Sequence, residues 1–391
     1  MDVRVVGVDG SSESVTRLAA ALRSALDGAG PAVLPVRAAP GGEPPLPEPV
    51  ARAVAAGALP DGLAAVVATS GSTGEPKHVA LTGDALRASA AATHDRLGGP
   101  GAWLLALPAE HVAGLQVVSR ALLAGTACVV QDVREGFRPA GFARATGRMR
   151  HGDRRYTSLV PTQLGRVLDH GSAPLYALAG YDAVLVGGAA LDPALRARAE
   201  AAGIRVVATY GMSETCGGSV YDGVALEGVS VTIEPGSGRV VLGGAVVAAG
   251  YLGAPDATAA SFGPDGFRTG DLGELGPDGR LTVLGRADDV INTGGEKVAP
   301  AAVERALLAL PGVGGACVVG LPDAEWGQVV AALVVTTDDG APPDSALQDA
   351  VRASCGRAAV PRTIRRAAAV PERGIGKPDR AAVARLFAPA S

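Results

Sequence analysis

Lysine is almost missing from this chain. Of 35 basic residues only three are lysine, Lys77, Lys297 and Lys377, and each lies in or beside a glycine-rich segment: STGEPK, GGEK and GIGK. A compact ammonium meets an oxyanion differently from arginine's planar fork, so these lysines are candidate functional residues rather than solvated charges. Cysteine is scarce too. Cys128, Cys216, Cys317 and Cys355 lie far apart with no CxxC pair, a spacing that argues against a disulfide framework and against a zinc site. A basic excess is also lacking: the net charge of −4 and the pI near 5.8 argue against the electropositive footprint of a nucleic-acid binder. No apolar run approaches the roughly 20 residues needed to span a bilayer. The opening MDVRVVGVDG lacks the basic-then-apolar pattern of a secretory signal, so a reducing cytoplasm is the expected setting.

What the chain does hold is apolar residues, 48% against 19% charged, which predicts a filled interior. At 391 residues it is too long for one compact core, and two domains are expected. The start reads as a strand, VRVVGV, then a polar SSES cap and a helix, VTRLAAALRSAL. A proline-rich stretch, PGGEPPLPEPV, reads as a surface loop. A helix (VARAVAAG) follows, then a buried strand from Leu63 to Ala68. Short apolar strands alternate with Ala/Arg/Leu helices through the middle of the chain, a rhythm that favours parallel sheets covered by helices. From about Gly236 short β runs separated by glycine turns suggest an antiparallel, barrel-like part. After Arg286 the pattern changes again, with helices at AAVERALLAL, ALQDAVRASC and DRAAVARLF and apolar runs between, and the APPD segment as a turn. The expected fold class is α/β: a large domain of βα layers with a barrel-like part over residues 1–287, and a small α+β domain over 288–391.

Five segments carry chemistry. Thr69-Ser70-Gly71-Ser72-Thr73-Gly74-Glu75-Pro76-Lys77 follows a buried strand. Small residues let the backbone approach an anion, hydroxyls add donors and a lysine supplies charge, although a Gly/Ser surface turn would look the same. It is not a Walker loop. Thr209-Tyr210-Gly211-Met212-Ser213-Glu214-Thr215 sets an aromatic that can flank a purine near a carboxylate that can serve Mg2+, or is an ordinary strand end. Phe267-Arg268-Thr269-Gly270-Asp271-Leu272 places a carboxylate on a tight turn, suited to two ribose hydroxyls or merely to a hairpin. Arg286-Ala287-Asp288-Asp289 and Gly294-Gly295-Glu296-Lys297 flank the expected domain junction, as a hinge or as helix caps.

The order TSGSTGEPK, TYGMSET, FRTGDL, GRADDVINTGGEKVAP, GKPDR resembles the adenylate-forming superfamily of acyl-CoA ligases, luciferases and peptide-synthetase adenylation domains, from about Leu63 to the C-terminus. The resemblance implies a large domain and a small mobile one with ATP between them, and ATP, Mg2+ and coenzyme A as the small molecules used. It implies that Thr69, Ser70, Gly71, Ser72, Thr73, Gly74 and Lys77 grip the pyrophosphate end of ATP, with Ser72 standing where threonine is common. Tyr210 would flank the adenine beside Gly187, Gly188 and Ala189, with Thr209, Gly211, Met212 and Ser213 around it. Glu214, with Thr73, would serve Mg2+; Asp271 and Arg286 the ribose; Asp288 the hinge. Lys377 matches the lysine that bridges the substrate carboxylate and the α-phosphate, and Gly294, Gly295 and Lys297 match the face used in the thioester step. His111 matches a position that lines the acid site and gates thiol entry, although a core-edge histidine would be unremarkable there.

Three stretches, WLLALPAEHVAGLQVVSRALLAG, YTSLVPTQLGRVL and TYGMSETCGGSVYDGVAL, resemble o-succinylbenzoate–CoA ligases of menaquinone biosynthesis more than fatty-acid or amino-acid activators. An aromatic keto-diacid needs an apolar slot, for which Leu115, Val160 and Val186 are candidates. Its second carboxylate needs polar groups, for which Thr157, Ser158, Thr162, Gln163, Ser213 and Thr215 are candidates. The alternatives are another aryl- or acyl-CoA ligase, a stand-alone adenylation enzyme charging a carrier protein, and a nucleotide-binding regulator that has lost its chemistry. The short N-terminal region leaves a homodimer open.

Overall fold

The computed structural model describes residues 2–38, 44–69, 76–150, 152–337, 340, 342–372 and 378–388. The chain opens with β1 (Val3–Val8), α1 (Ser12–Leu26), β2 (Ala32–Arg37), α2 (Glu48–Ala55), β3 (Leu63–Thr69) and β4 (Lys77–Thr82). Ser11 caps α1, its hydroxyl accepting the Ser14 amide at 3.2 Å, so the polar SSES run starts the helix as expected. The proline-rich stretch gives way to α2 already at Glu48, with Pro49 in its first turn, where a missing amide costs nothing. β1, β2 and β3 pair in parallel, whereas β4 turns back against β3.

The second sheet is assembled from α3 (Gly83–Arg96), β5 (Ala102–Leu105), α4 (Val112–Leu123), β6 (Cys128–Val130), α5 (Pro139–Thr146), β7 (Arg155–Leu159), α6 (Pro161–His170), α7 (Ser172–Ala179), β8 (Ala183–Val186), α8 (Pro193–Ala201), β9 (Val206–Met212), β10 (Gly217–Tyr221) and β11 (Val224–Ala225). Its order is β11-β10-β9-β8-β7-β5-β6, parallel from β6 to β9 and antiparallel beyond. Strands such as β5 and β8 are buried throughout, as parallel strands covered on both faces must be. Helices α1, α3 and α4 lie between the two sheets, and Leu18, Leu22, Val67, Leu81, Leu86, Trp103, Leu115 and Val118 share one core there. Phe142, Leu159, Leu164, Tyr181 and Val184 form a second core on the far face.

Next come β12 (Val229–Ile233), β13 (Arg239–Gly244), β14 (Gly250–Tyr251), α9 (Pro255–Ser261), β15 (Phe262–Gly263), β16 (Gly266–Leu275) and β17 (Leu281–Arg286). β14 returns to the first sheet beside β4; the others form the expected antiparallel part, ordered β12-β13-β16-β15 with β17 on β16. One expectation is corrected here. Asp271 sits inside β16, not on a turn, because β13 on one side and β17 on the other hold the whole FRTGDL segment extended. The TYGM segment is likewise strand, the last residues of β9.

The remainder comprises β18 (Ile291–Thr293), β19 (Glu296–Val298), α10 (Pro300–Leu308), β20 (Val313–Asp323), β21 (Gly327–Thr336), α11 (Asp344–Cys355), β22 (Thr363–Ala367) and α12 (Arg380–Leu386). The order is β19-β18-β21-β20 with β22 on β21, around a core of Ile291, Val303, Leu307, Val318, Val334, Leu347 and Val351. Of the expected APPD turn, Pro343 stands before α11 and Ala341 lies outside the described residues. Arg380 ties this part together. Its Nε donates to Asp289 Oδ2 at 2.9 Å, its Nη2 to Glu304 Oε2 at 3.2 Å and its Nη1 to the Val318 carbonyl at 2.7 Å. The four cysteines are free thiols, and no helix among the described residues is long and apolar enough to cross a membrane.

A polar network is buried between the sheets. Trp103 Nε1 donates to His94 Nε2 at 3.2 Å, Arg120 Nη2 donates to the Tyr221 hydroxyl at 3.3 Å, and the Arg120 guanidinium lies over the Trp103 ring at 5.2 Å. Burial first, and the Arg120 charge second, lower the His94 pKa from 6.5 to about 4. The unfolded chain therefore binds the extra proton more readily than the fold does. The contribution is complete above pH 6.5 and is lost as the pH falls toward 4, on the order of 3 kcal/mol in all. Urea unfolding followed between pH 7 and 4 should show this decline, and His94→Gln, which can still accept from Trp103, should flatten it.

Candidate functional site

Strand ends from different sheets converge on Asp271. The Tyr210 hydroxyl, at the end of β9, donates to Asp271 Oδ2 at 2.8 Å. Arg286 stands directly across the β16–β17 ladder from Asp271, with Nη1 3.5 Å from Oδ1 and Nη2 3.1 Å from Asp288 Oδ2. The Asp271 amide donates to the Thr269 hydroxyl at 3.0 Å, which fixes the backbone that carries the carboxylate. Burial and the Asp271 charge push the Tyr210 hydroxyl far above its ordinary pKa, so it remains a donor. Five residues from three motifs thus form one cluster, with the Asp271 carboxylate clamped between a phenol and a guanidinium.

The wall beside Tyr210 is closely packed. A Cβ on Gly187 would come within 2.3 Å of the Thr209 hydroxyl, and one on Gly211 within 2.0 Å of the Gly217 carbonyl oxygen across the β9–β10 hairpin. Gly188 and Ala189 continue from Gly187 at the end of β8. Beyond Met212 a single 3-10 turn, Ser213–Thr215, carries Glu214. Ser213 and Thr215 are buried, and Thr215 spends its hydroxyl on the Met212 amide (3.1 Å) and the Gly217 carbonyl (2.9 Å). Cys216 follows in the left-handed region, φ 51°, with its carbonyl held by Ser89 Oγ at 3.1 Å and by Gln116 Nε2. Helices α3 and α4 therefore aim the Glu214 turn. Burial pushes the Cys216 thiol up to about 12, which makes it inert.

Glu214 accepts the Tyr251 hydroxyl at 2.8 Å, and Lys77 Nζ lies 4.6 Å from the centre of the same ring. Lys77 begins β4 opposite Thr69, the last residue of β3, so the two strands deliver both ends of the glycine-rich segment to one place. Ser70, Gly71, Ser72, Thr73 and Gly74 lie outside the described residues, as does Lys377. The flanks of the Lys377 segment, Glu372 and Pro378, form an antiparallel bridge.

The acid-pocket candidates divide. His111 is exposed at the N-cap of α4, and Thr162 is half-buried in the first turn of α6. Leu115 is fully buried in the inter-sheet core, and Val160 and Val186 are buried as well. Gln163 caps α6, accepting the Val160 amide at 3.1 Å and donating to the Ala106 carbonyl at 3.0 Å. Thr157 donates to the Leu104 carbonyl at 2.9 Å, and Ser158 is buried beside it. Several of these side chains therefore already hold the fold. Gly294 and Gly295 make the turn between β18 and β19; Gly294 packs against the ring of Trp326, whose carbonyl accepts the Gly294 amide at 3.0 Å, and Lys297 is exposed on β19. Surface hollows of about 610 and 590 Å3, lined by residues such as Leu26 and Arg87 or Arg134 and Arg138, contain none of the clustered residues. Sequence reasoning missed Ser89, Gln116 and Tyr251; the sole local hint was an aromatic side chain in the Gly/Ala run around Tyr251.

Comparison with known proteins adds an independent line. The AMP-binding enzyme family profile matches residues 11–252, and that of the AMP-binding enzyme C-terminal domain matches 302–377. The chain is 50% identical over 339 residues to the probable 2-succinylbenzoate–CoA ligase of Mycobacterium tuberculosis H37Rv, covering 84% of this chain and 86% of that one. It superposes on o-succinylbenzoate CoA synthetase from Bacillus subtilis, solved with its acyl-adenylate intermediate, with a TM-score of 0.71, 28% identity and coverage of 83% and 69%. For an amide bond synthetase from Marinactinospora thermotolerans the TM-score is 0.77 at 26% identity, covering 99% and 80%.

Because the Gly211 contact is with backbone that cannot swing aside, Gly211→Ala should part β9 from β10. We expect a loss of about 3 kcal/mol in urea unfolding and a marked loss of ATP affinity by calorimetry.

Proposed function

The chain belongs to the AMP-binding enzyme family, and from that premise we propose that it is an ATP-dependent acid–CoA ligase whose acid is o-succinylbenzoate. The observation that carries the reading is the Tyr210–Asp271–Arg286 cluster, which joins motifs 61 and 15 residues apart in a form suited to a nucleoside. The acid's identity rests on the 50% identity to the mycobacterial ligase.

In the first half-reaction a carboxylate oxygen of the acid attacks the α-phosphorus of ATP, and pyrophosphate leaves. Two anions must approach, so positive charge has to be in place beforehand. Lys77 supplies it at the pyrophosphate end and Lys377 at the carboxylate and α-phosphate. Asp271, oriented by Tyr210 and Arg286, accepts hydrogen bonds from the ribose hydroxyls, and Tyr210 and Gly187–Ala189 flank the adenine. Among the described residues no group of three or more acidic, histidine or cysteine side chains forms a metal cage. A lone carboxylate fits Mg2+ that arrives on phosphates with its own waters, and Glu214, with Thr73, would hold it. Bound there, Mg2+ would neutralise phosphate charge.

In the second half-reaction the thiol of coenzyme A attacks the acyl carbon, and AMP leaves. A lysine across that path obstructs the thiol, so we place Lys377 on a part that rotates about Asp288 and then presents Gly294, Gly295 and Lys297, with His111 at the thiol's entry. The proposed division is residues 1–287 and 288–391, in a cytoplasmic setting.

Two experiments test this. In a pyrophosphate-release panel of o-succinylbenzoate, benzoates and amino acids, o-succinylbenzoate should give the highest kcat/KM. A preference of about tenfold for another acid, equivalent to about 1.4 kcal/mol in transition-state binding, would replace the assignment. Lys377→Ala should lower adenylation by about a hundredfold or more while thioester formation from supplied acyl-adenylate is largely kept. Equal loss of both half-reactions would remove the two-position mechanism.

A further inference from the structure

Aromatic residues make up only 3% of this chain, yet three of them stack in one column beside the phosphate-binding candidates. The Tyr251 ring meets Phe262 edge-on, with centroids 5.2 Å apart and planes at 75°, and Phe262 lies 4.9 Å from Phe267. Phe267 shares β16 with Asp271, so the column links the ring beside Lys77 and Glu214 to the strand that carries Asp271. Tyr251 itself is 6% exposed and cannot shift. Its backbone pairs with Val79 of β4, and its amide donates to the Thr258 hydroxyl at 2.9 Å.

We propose that Tyr251 is a positioning residue that spaces Lys77 from Glu214, holding the lysine on its ring face and the carboxylate on its hydroxyl, so that metal-bound ATP phosphates meet both at once. The proposal deepens the ligase reading and rests on it. The ring quadrupole attracts the ammonium, and the hydroxyl donates to a carboxylate, a charge-assisted bond stronger than a neutral one. One rigid side chain thus orders two flexible charges without neutralising either. A direct Lys77–Glu214 ion pair would instead have taken both charges away from the nucleotide. Oε1 is the oxygen Tyr251 engages, and a carboxylate has a second with which to meet the metal.

The two functions of the side chain separate by substitution. Tyr251→Phe keeps the ring under Lys77 and removes only the bond to Glu214; Tyr251→Leu removes both. The readouts are Mn2+ binding in the presence of ATP, followed by electron paramagnetic resonance, metal-free ATP affinity by calorimetry, and the thermal midpoint. Tyr251→Phe should bind Mn2+–ATP about tenfold more weakly with metal-free ATP affinity unchanged, the size expected for losing one charge-assisted hydrogen bond. Tyr251→Leu should weaken both. Wild-type Mn2+–ATP affinity in Tyr251→Phe, tighter binding, or an equal loss with and without metal would overturn the assignment. A wild-type chain that binds Mn2+–ATP but forms no acyl-adenylate from any acid would defeat the ligase reading alone. One that binds no Mn2+–ATP would defeat both.

Discussion

The hydrogen bond from Tyr210 to Asp271 joins a strand of the parallel sheet to a strand of the antiparallel one. Everything around it depends on those two strand ends staying in register. Asp271 is inside a three-stranded ladder rather than on a turn, so its backbone cannot drift, and Arg286 faces it because the β16–β17 pairing puts it there. A carboxylate held this way meets a ligand already oriented, and little side-chain entropy remains to be lost on binding. The close approach of Gly211 to Gly217 serves the same end by letting β9 and β10 run side by side without a side chain between them.

The inter-sheet core reaches into the site through polar side chains. Ser89 and Gln116 come from helices buried between the sheets, and both hold the carbonyl of Cys216, a non-glycine residue at positive φ. A left-handed conformation for such a residue costs of order 1–3 kcal/mol and persists only where the surroundings over-determine it. Here two helices do so, and Glu214 two residues earlier is the beneficiary. Tyr251 completes the arrangement from the opposite side, carried by a two-residue strand on the edge of the first sheet.

Beyond Arg286 the chain is organised around a partly buried guanidinium. Arg380 opens α12 just after the GIGK segment and reaches Asp289, Glu304 and the Val318 carbonyl. Asp289 belongs to the short turn Ala287–Asp289 where the expected domain boundary falls, so the same arginine links that turn with the C-terminal helix. Removing it would strand two carboxylates in a partly desolvated place, the situation in which an ion pair matters most.

The local features were legible in the amino-acid order. Caps, apolar runs and helical periodicity place α1, β3, α10 and α11 because those signals depend on neighbours within a few residues. The ordered motifs carry the family for the same reason: a glycine-rich run or a Gly-Asp pair keeps its chemistry wherever it lies. Other features were set by partners distant in the chain. FRTGDL has turn composition, yet two flanking strands hold it extended. Gln163 and Thr215 have the chemistry of a pocket but are engaged in capping and turn bonds, which composition alone cannot foresee. Sequence by itself determined which chemical groups are present and in what order. Tertiary structure alone decided that Tyr251 would stand between Lys77 and Glu214, because a contact across 37 residues exists only once β14 has paired with β4.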